Sequence, residues 1–313
     1  MEEDLPEIVS STQILMERGN EYNGIRFPFF VQPKVLEQLK AFEVRKGDVI
    51  LATYPKCGTH WMREIILLTQ QDGHVDKIKR DLDPAVQGGL SFTMSPDFKY
   101  SVAEALANQP SPRMCLTHLP AKLLPPEVWI KKPKLVYLTR NPKDACSSAY
   151  RFINAFRINN GPLPWDMFFK YFTSKKVWFG PWSDHALSYW EHRNDGHVFF
   201  VTFEEMKQDI RSVVRRLAQF LEISITPEGL ERIIKHSSLK GMRRTFAQIE
   251  EENENGKFYT RAFGEVPFIQ KGVIGSWRAE FTEKQREKID TTVKEKLAGT
   301  GLNAYYNLLG SRL

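Results

Sequence analysis

The chain has 313 residues, 42% of them apolar, and is long enough to bury a large core as one α/β domain or two smaller ones. The N-terminal sequence MEEDLPEIVSS is acidic where a signal peptide needs a basic start, and no apolar run approaches the ~20 residues of a membrane span, so we expect a cytoplasmic protein. The formal net charge of +6 fits an anionic ligand, although a modest excess of surface lysine gives the same value, and no basic stripe interleaved with aromatics points to nucleic acid.

Strands alternate with helices along the chain. Apolar runs predict strands at 49–53, 113–117, 134–139 and 197–203. Apolar positions at helical spacing predict helices at 61–71, 145–155, 181–192, 207–221 and 227–236. Thr226 and Pro227 suit the N-cap and first turn of the last helix. This alternation predicts an α/β fold, with one domain over residues 1–313 and a central, mainly parallel sheet covered by helices.

Two other features bear on the organisation of the chain. The stretch 248–268 is long, polar and without clear periodicity, so we expect a loop that acts as a lid. The three cysteines are odd in number and lack metal-ligand spacing, which argues against a disulfide framework. We therefore expect free thiols at Cys57, Cys115 and Cys146.

Chemically reactive side chains follow three of the predicted strands. Lys56 and Gly58 come after the first strand, His118 after the second and Arg140 after the third. Because ligands of such sheets bind beyond the carboxyl ends of the strands, these side chains are predicted to share one edge of the sheet.

The loop at Lys56 has the features of an anion site. A strand, a tight loop and a helix N-terminus direct backbone N–H groups and a positive dipole end to one point, and Lys56 and Thr59 add a charge and a hydroxyl. The lysine precedes Gly58, so this is not the G-x-x-x-x-G-K-[ST] nucleotide loop. An ordinary strand-to-helix turn with a surface lysine would have the same residues. Likewise, His118 taken singly fits a surface loop, and Arg140 with Asp144 fits a helix cap.

Four segments together resemble the cytosolic sulfotransferase family, which transfers the sulfuryl group of 3′-phosphoadenosine 5′-phosphosulfate (PAPS) to a hydroxyl or amine. They are TYPKCGTHW at 53–61, THLP at 117–120, RNPKDACSSAYRF at 140–152 and QKGVIGSWRAEFT at 270–282. In the family these are the 5′-phosphosulfate loop, the catalytic histidine segment, the 3′-phosphate segment and the C-terminal PAPS segment. Their order and spacing match as well, and the resemblance covers nearly the whole chain.

The resemblance implies a role for each matching residue. Lys56, with the backbone amides of 57–61, would hold the 5′-phosphate and the sulfate, and His118 would take the proton of the acceptor. Arg140 and Ser148 would bind the 3′-phosphate, and Trp61 would stack on the adenine. The full PAPS site implied in this way is Lys56, Cys57, Gly58, Thr59, His60, Trp61, Arg140, Ser148, Phe203, Ser237, Ser238, Leu239, Phe268, Ile269, Gln270, Lys271 and Gly272.

No metal is required on this interpretation. The strand 134–139 is followed by Arg140 where a magnesium-binding nucleotide hydrolase would often have an aspartate. Glu204 and Glu205 could be mistaken for the metal-site carboxylate of such an enzyme. We interpret them as the acidic first turn of the following helix.

The chain departs from the family pattern at several nucleotide-site positions. Leu116 stands where a lysine is frequent, and Gln270 stands where an arginine commonly binds the 3′-phosphate. The remaining departures are Cys57 and His60 for small hydroxyl residues, Phe203 for a tyrosine and Leu239 for a phenylalanine. These changes put the affinity for PAPS or the turnover in question.

The acceptor site and the oligomeric state are less well specified. Matching positions imply an apolar pocket that suits phenols or hydrophobic alcohols, formed by Phe92, Tyr150 and Phe152 and covered by Phe29 or Phe30 and part of the 248–268 loop. The segment RAEFTEKQRE at 278–287 resembles the dimer motif of the family with two replacements, which leaves a homodimer open.

Three functions remain open at this point. The motifs favour a PAPS-dependent sulfotransferase. Leu116 and Gln270 keep a non-catalytic carrier of adenosine bisphosphate and a hydrophobic ligand as the second interpretation. A small-molecule kinase that uses the Lys56 loop for ATP is the third.

Overall fold

The structure, a computed structural model, describes residues 18–78, 106–155, 163–252, 269–270 and 272–308. Within these ranges no helix combines the length and the apolar character needed to cross a bilayer.

A parallel sheet organises the described part of the chain. Its strands are β3 (Val49–Thr53), β4 (Met114–Thr117), β5 (Lys134–Thr139) and β6 (Val198–Thr202), in the order β4-β3-β5-β6. A separate antiparallel hairpin precedes it, with β1 (Gly19–Tyr22) and β2 (Ile25–Pro28). In the register of the main sheet Thr53 lies opposite Leu138, and Thr139 opposite Thr202, so the carboxyl ends of these strands form one edge.

Helices connect and cover the strands. They are α1 (Pro33–Leu39), α2 (Thr59–Gln70), α3 (Glu127–Lys131), α4 (Pro142–Ala155), α5 (Trp165–Phe172), α6 (Trp182–Trp190), α7 (Phe203–Gln208), α8 (Ile210–Phe220), α9 (Pro227–Ser237), α10 (Leu239–Glu252), α11 (Glu283–Lys296) and α12 (Leu302–Leu308). Thr226 caps α9 by accepting from the Gly229 amide, and Pro227 occupies its first turn, as predicted.

Both faces of the sheet are buried. In β3, Ile50 and Ala52 pack into one apolar cluster while Val49 and Leu51 pack into another on the opposite face, and β5 alternates in the same way. Each fully buried aliphatic side chain of this kind contributes about 1.5–3 kcal/mol. The pattern explains why these strands read as near-continuous apolar runs, and it confirms the predicted α/β class.

Each strand of the main sheet ends in a buried threonine whose hydroxyl makes a hydrogen bond. Thr117 accepts from the amide of Leu119 at 3.0 Å, and Thr202 accepts from the amide of Glu205 at 3.2 Å. Thr139 accepts from the hydroxyl of Tyr306 at 3.0 Å, and Thr53 lies 2.7 Å from the hydroxyl of Thr59. Three of these hydroxyls therefore fix residues that directly follow their own strand, and the fourth fixes Tyr306 of α12.

The structure corrects several predicted bounds. The helix predicted at 207–221 is two helices, because Asp209 leaves the helical conformation (φ −147°) and caps α8 by accepting from the Ser212 amide. The loop predicted at 248–268 begins too early, since α10 continues to Glu252, and residues 253–268 lie outside the described ranges. The strands predicted at 113–117 and 197–203 are each shorter, and the helices predicted at 61–71 and 145–155 begin earlier, at Thr59 and Pro142.

The sequence interpretation missed the β1–β2 hairpin. Asn23 and Gly24 both have positive φ, 50° and 71°, as a two-residue turn of this type needs. The dipeptide Asn-Gly between two short strands was the signal that would have found it.

Candidate functional site

The loop between β3 and α2 leaves the strand through a strained backbone. Lys56 has φ +70° and Gly58 has φ +107°, which is a region that side chains with a Cβ rarely adopt. A Cβ at Gly58 would also lie 2.9 Å from the ring of Phe203. The position therefore needs glycine for its backbone conformation and for the approach of this ring.

Backbone donors at the start of α2 are divided into two groups. The amide of Cys57 donates to the Tyr54 carbonyl and that of Trp61 to the Gly58 carbonyl, at 3.2 and 3.0 Å. The amides of Gly58 and Thr59 make no hydrogen bond to any described residue. Since unsatisfied amides at a helix N-terminus favour an anion, Gly58 and Thr59 carry two donors that a ligand could use, and the role of the whole run 57–61 stays a prediction.

Two cationic groups lie next to this loop. Lys56 directs its ammonium at the ring of Phe152, 3.7 Å from the centroid, and burial lowers its pKa to about 7, with a further contribution from Arg140. The guanidinium of Arg140 lies 4.3 Å from the ring of Phe203 and donates to the Val273 carbonyl at 3.1 Å. The Nε of Arg140 is buried and has no partner among the described residues. Arg140 thus keeps a donor for a ligand.

His118 follows β4 and is tied to β3. Its Nδ1 lies 2.8 Å from the carbonyl oxygen of Thr53 and 3.1 Å from the hydroxyl of the same residue. Because a carbonyl only accepts, Nδ1 carries the proton and Nε2 is the basic nitrogen. Burial lowers the pKa of His118 to about 4, so the imidazole is neutral at physiological pH.

A pair of aromatic rings, Trp61 and Phe203, lies between the Lys56 loop and the C-terminal segment. The rings of Trp61 and Phe203 meet edge to face, with centroids 5.3 Å apart. Phe203 also contacts the position of Gly272, where a Cβ would lie 3.0 Å from the ring. The ammonium of Lys207 lies 5.3 Å from the Trp61 ring centroid, and sequence reasoning had not singled it out. In the sequence, Lys207 could have been identified only by its position in the helix that directly follows β6.

The other predicted PAPS-site residues lie on several helices and on the C-terminal segment. Ser148 is half-buried on α4. Ser237 and Ser238 end α9, and the hydroxyl of Ser238 donates to the Lys235 carbonyl at 2.6 Å. Leu239 begins α10, and His60 packs edge to face on Phe246 of that helix, with centroids 5.9 Å apart. In the C-terminal segment the Ile269 carbonyl accepts from Arg243, and Gln270 is exposed.

Predicted residues in three places fall outside the described ranges. They are Phe92, Phe268 and Lys271. Of the remaining acceptor residues, Phe152 faces Lys56, whereas Tyr150 packs against Trp165 and Phe168 at centroid distances of 5.1 and 5.5 Å. The structure therefore brings Phe152, but not Tyr150, into contact with the lysine.

Asp144 of α4 binds the C-terminal segment through hydrogen bonds. Its carboxylate is fully buried and accepts from the amides of Gly275 and Trp277, at 2.7 and 3.1 Å, and from the Ser276 hydroxyl at 3.1 Å. The sequence alone allowed a simple helix cap at this position. The observed contacts span more than 130 residues of sequence, so spacing could not reveal them.

A second buried carboxylate, Glu204, supports the turn after β5. Its Oε1 accepts from the amide of Asn141 at 3.0 Å, while Oε2 has no partner among the described residues. Burial raises the pKa of Glu204 to about 7. Glu205 forms a capping box with Thr202, so both glutamates lie in the first turn of α7, as predicted.

Together these observations define an α/β protein that collects a lysine, a histidine and an arginine at the carboxyl edge of a parallel sheet. Residues 46–301 match the family model of the sulfotransferase domain. The chain therefore belongs to the sulfotransferase family.

Two similar mouse sulfotransferases support this assignment. The chain is 35% identical over 269 residues to sulfotransferase 1B1 of Mus musculus, which covers 85% of this chain and 88% of the relative. It is 34% identical over 270 residues to sulfotransferase 1E1 of Mus musculus, with 84% and 88% covered.

Solved structures show the same fold. Mouse sulfotransferase SULT7A1 complexed with PAP aligns with a TM-score of 0.74 at 26% identity, over 94% of this chain and 99% of that one. Retinol dehydratase complexed with retinol and PAP aligns with a TM-score of 0.75 at 21% identity, over 88% of each chain, and bears on the fold alone.

Proposed function

We propose that the protein transfers the sulfuryl group of PAPS to the hydroxyl or amine of a small hydrophobic acceptor. The observation that carries the proposal is the geometry of His118. Its Nδ1–H donates to Thr53, the last residue of the strand that leads into the Lys56 loop, so its basic Nε2 belongs to the same corner of the sheet as that loop. A general base next to a loop that carries a lysine and can bind an anion suits the transfer of a charged group to a hydroxyl.

The residues divide the work between binding and chemistry. Gly58 and Thr59 offer free amides to the 5′-phosphosulfate, Arg140 offers its free Nε to the 3′-phosphate, and Trp61 offers a face to the adenine. His118 takes the proton of the acceptor while the acceptor oxygen bonds to sulfur and the bond from sulfur to the bridging oxygen breaks. Lys56 stabilises the charge on that oxygen, and adenosine 3′,5′-bisphosphate (PAP) leaves.

Aromatic side chains beside His118 and Lys56 support an apolar acceptor. Phe179 packs edge to face on the His118 ring, with centroids 5.5 Å apart, and Phe152 faces Lys56. Aromatic and apolar walls with few polar groups favour flat phenols or hydrophobic alcohols. The proposal includes a cytoplasmic location and a single domain over residues 1–313. It leaves open whether two copies form a homodimer through residues 278–287.

One assay separates the three functions. The protein is incubated without divalent metal with labelled PAPS and a panel of phenols, alcohols and amines, and in parallel with magnesium and ATP. We expect labelled sulfated product from PAPS alone. Product from ATP only would establish the kinase, and PAP binding without product from either donor would establish the carrier.

A further inference from the structure

Helix α6 holds the His118 loop through three side chains. His185 Nε2 lies 3.0 Å from the carbonyl oxygen of His118, and the Tyr189 hydroxyl donates to the carbonyl of Leu119 at 2.6 Å. Ser188 accepts from the amide of Ala121 at 3.1 Å. Backbone groups of His118, Leu119 and Ala121 are thus bonded to one face of one helix.

The proton positions of His185 follow from its partners. The His118 carbonyl can only accept, so Nε2 of His185 carries a proton. Burial lowers the pKa of His185 to about 3, which keeps the ring neutral and makes Nδ1 an acceptor. The hydroxyl of Tyr137, 2.9 Å from Nδ1, is then the donor. Tyr137 itself is fixed by stacking on Tyr189, with centroids 4.1 Å apart.

We propose that His185 is a positioning residue for sulfuryl transfer. It fixes the backbone carbonyl of His118, while Thr53 fixes the imidazole ring. This inference rests on the proposed function, because it assumes that His118 is the base. Two fixed attachments, one on the carbonyl and one on Nδ1, leave Nε2 little freedom to move. A displacement of about 1 Å at a reacting group can cost ~10²-fold in rate.

The test compares kcat with nucleotide binding in variants of His185. We expect His185→Phe to lower kcat by ~10–100-fold while the KM for PAPS and the Kd for PAP stay within about twofold. His185→Gln should recover part of kcat, because its amide carries a donor and an acceptor on one carbon, as the imidazole does on Cε1. Tyr137→Phe should lower kcat less, and adding it to His185→Phe should have no further effect on kcat.

A matched control lies on the same helix. Trp190 donates to the Thr300 carbonyl at 2.7 Å and makes no bond to the His118 loop, so Trp190→Phe removes a partly buried hydrogen bond of α6 without changing any contact of His118. We expect this variant to lose thermal stability and to keep kcat. Equal kcat values for His185→Phe and Trp190→Phe at equal Tm would overturn the inference. If His185→Phe does not fold, His185→Gln and Tyr137→Phe decide the question by the same comparison.

The failure of the inference differs from the failure of the proposed function. A wild-type protein without sulfuryl transfer would refute the function, and the positioning role would then be read from the ¹⁵N shifts of the His118 ring. We expect the single Nδ1–H tautomer in the wild type and in Trp190→Phe, and a mixture of tautomers in His185→Phe. A single tautomer in all three proteins would overturn the inference as well.

Discussion

Lys56 is placed at a cost to the free protein. It has a left-handed backbone conformation, of a kind that costs about 1–3 kcal/mol, and its ammonium is buried against an aromatic ring. The backbone conformation and the desolvation of the charge are both unfavourable in the free protein. We expect this of a residue whose charged form a bound anion would stabilise. The sequence revealed the lysine and the glycine but not the left-handed backbone conformation of Lys56.

Proton uptake on binding tests this view of Lys56. With a pKa of about 7, the side chain is largely neutral at pH 8 in the free protein, and a bound dianion should raise its pKa and charge it. We expect PAP binding to take up a proton at pH 8 and little at pH 6. Calorimetric titration in two buffers of different ionisation enthalpy measures the uptake. Lys56→Ala should bind without it, and the same uptake in that variant would assign the proton to another group.

Glu204 gives a stability prediction with a defined sign. A carboxyl group whose pKa rises from 4.5 to about 7 on folding keeps its proton in the folded state where the unfolded chain has lost it. Stability should therefore fall as pH rises between about 4.5 and 7. We expect Glu204→Gln to flatten this dependence and to raise Tm at pH 8, since glutamine still accepts from the Asn141 amide. Melting curves at pH 5.5 and 8 decide it, with the exposed Glu222→Gln as control. A parallel pH dependence in wild type and Glu204→Gln would contradict the prediction.

At the scale of elements, the sequence was most informative where burial dictates composition. The β5 strand was predicted with its observed bounds, because both of its faces are buried and its run of apolar residues is continuous. The break at Asp209 was not predicted, because the apolar stripe of α8 continues the phase of the residues before it. In the site, Lys56, His118 and Arg140 could be predicted from strand ends, whereas Asp144 and His185 act through contacts distant in sequence.

The C-terminal segment depends on Asp144 for its attachment. The two oxygens of Asp144 accept from different amides, Oδ2 from Gly275 and Oδ1 from Trp277, so the single oxygen of asparagine can serve only one of them. The other amide then faces the asparagine NH2 group, and an unsatisfied buried donor costs about 1–3 kcal/mol. We expect Asp144→Asn to weaken PAP binding by about tenfold or more, because the segment includes Gly272, which lies against the ring of Phe203. Calorimetry measures the loss. Asp184→Asn, which alters a surface ion pair, should bind PAP normally. An unchanged affinity in Asp144→Asn would separate the segment from the nucleotide.

Gln270 tests the most informative departure in the same segment. It is exposed, and a guanidinium at this position could add a charge-assisted pair with the 3′-phosphate, worth roughly 1.5–3 kcal/mol. We expect Gln270→Arg to tighten PAP binding by about tenfold or more at low salt and to leave adenosine 5′-monophosphate binding unchanged. Titration of both nucleotides against both proteins decides it. An equal gain for the monophosphate would show that position 270 does not face the 3′-phosphate.

On the scale of the whole molecule, the fold brings the candidate groups together by ending parallel strands at one edge. Buried threonines fix the residues after β3, β4 and β6, α6 bonds to the His118 loop, and α4 bonds to the C-terminal segment. The central claim is that His118 at this edge is the base of a sulfuryl transfer. Its lowered pKa, about 4, keeps the imidazole available as a base at any pH above that value, so an ordinary histidine titration near 6.5 should be missing from the rate profile.

The most direct test is the rate of sulfuryl transfer at saturating PAPS in wild type and His118→Ala, measured from pH 5.5 to 8, with PAP affinity determined alongside. We predict a fall in kcat of about 10²–10⁴ in the variant, PAP affinity within about twofold of wild type, and no wild-type loss of rate near pH 6.5. A folded His118→Ala protein with wild-type kcat, or a variant that loses PAP affinity and turnover equally, would contradict the account.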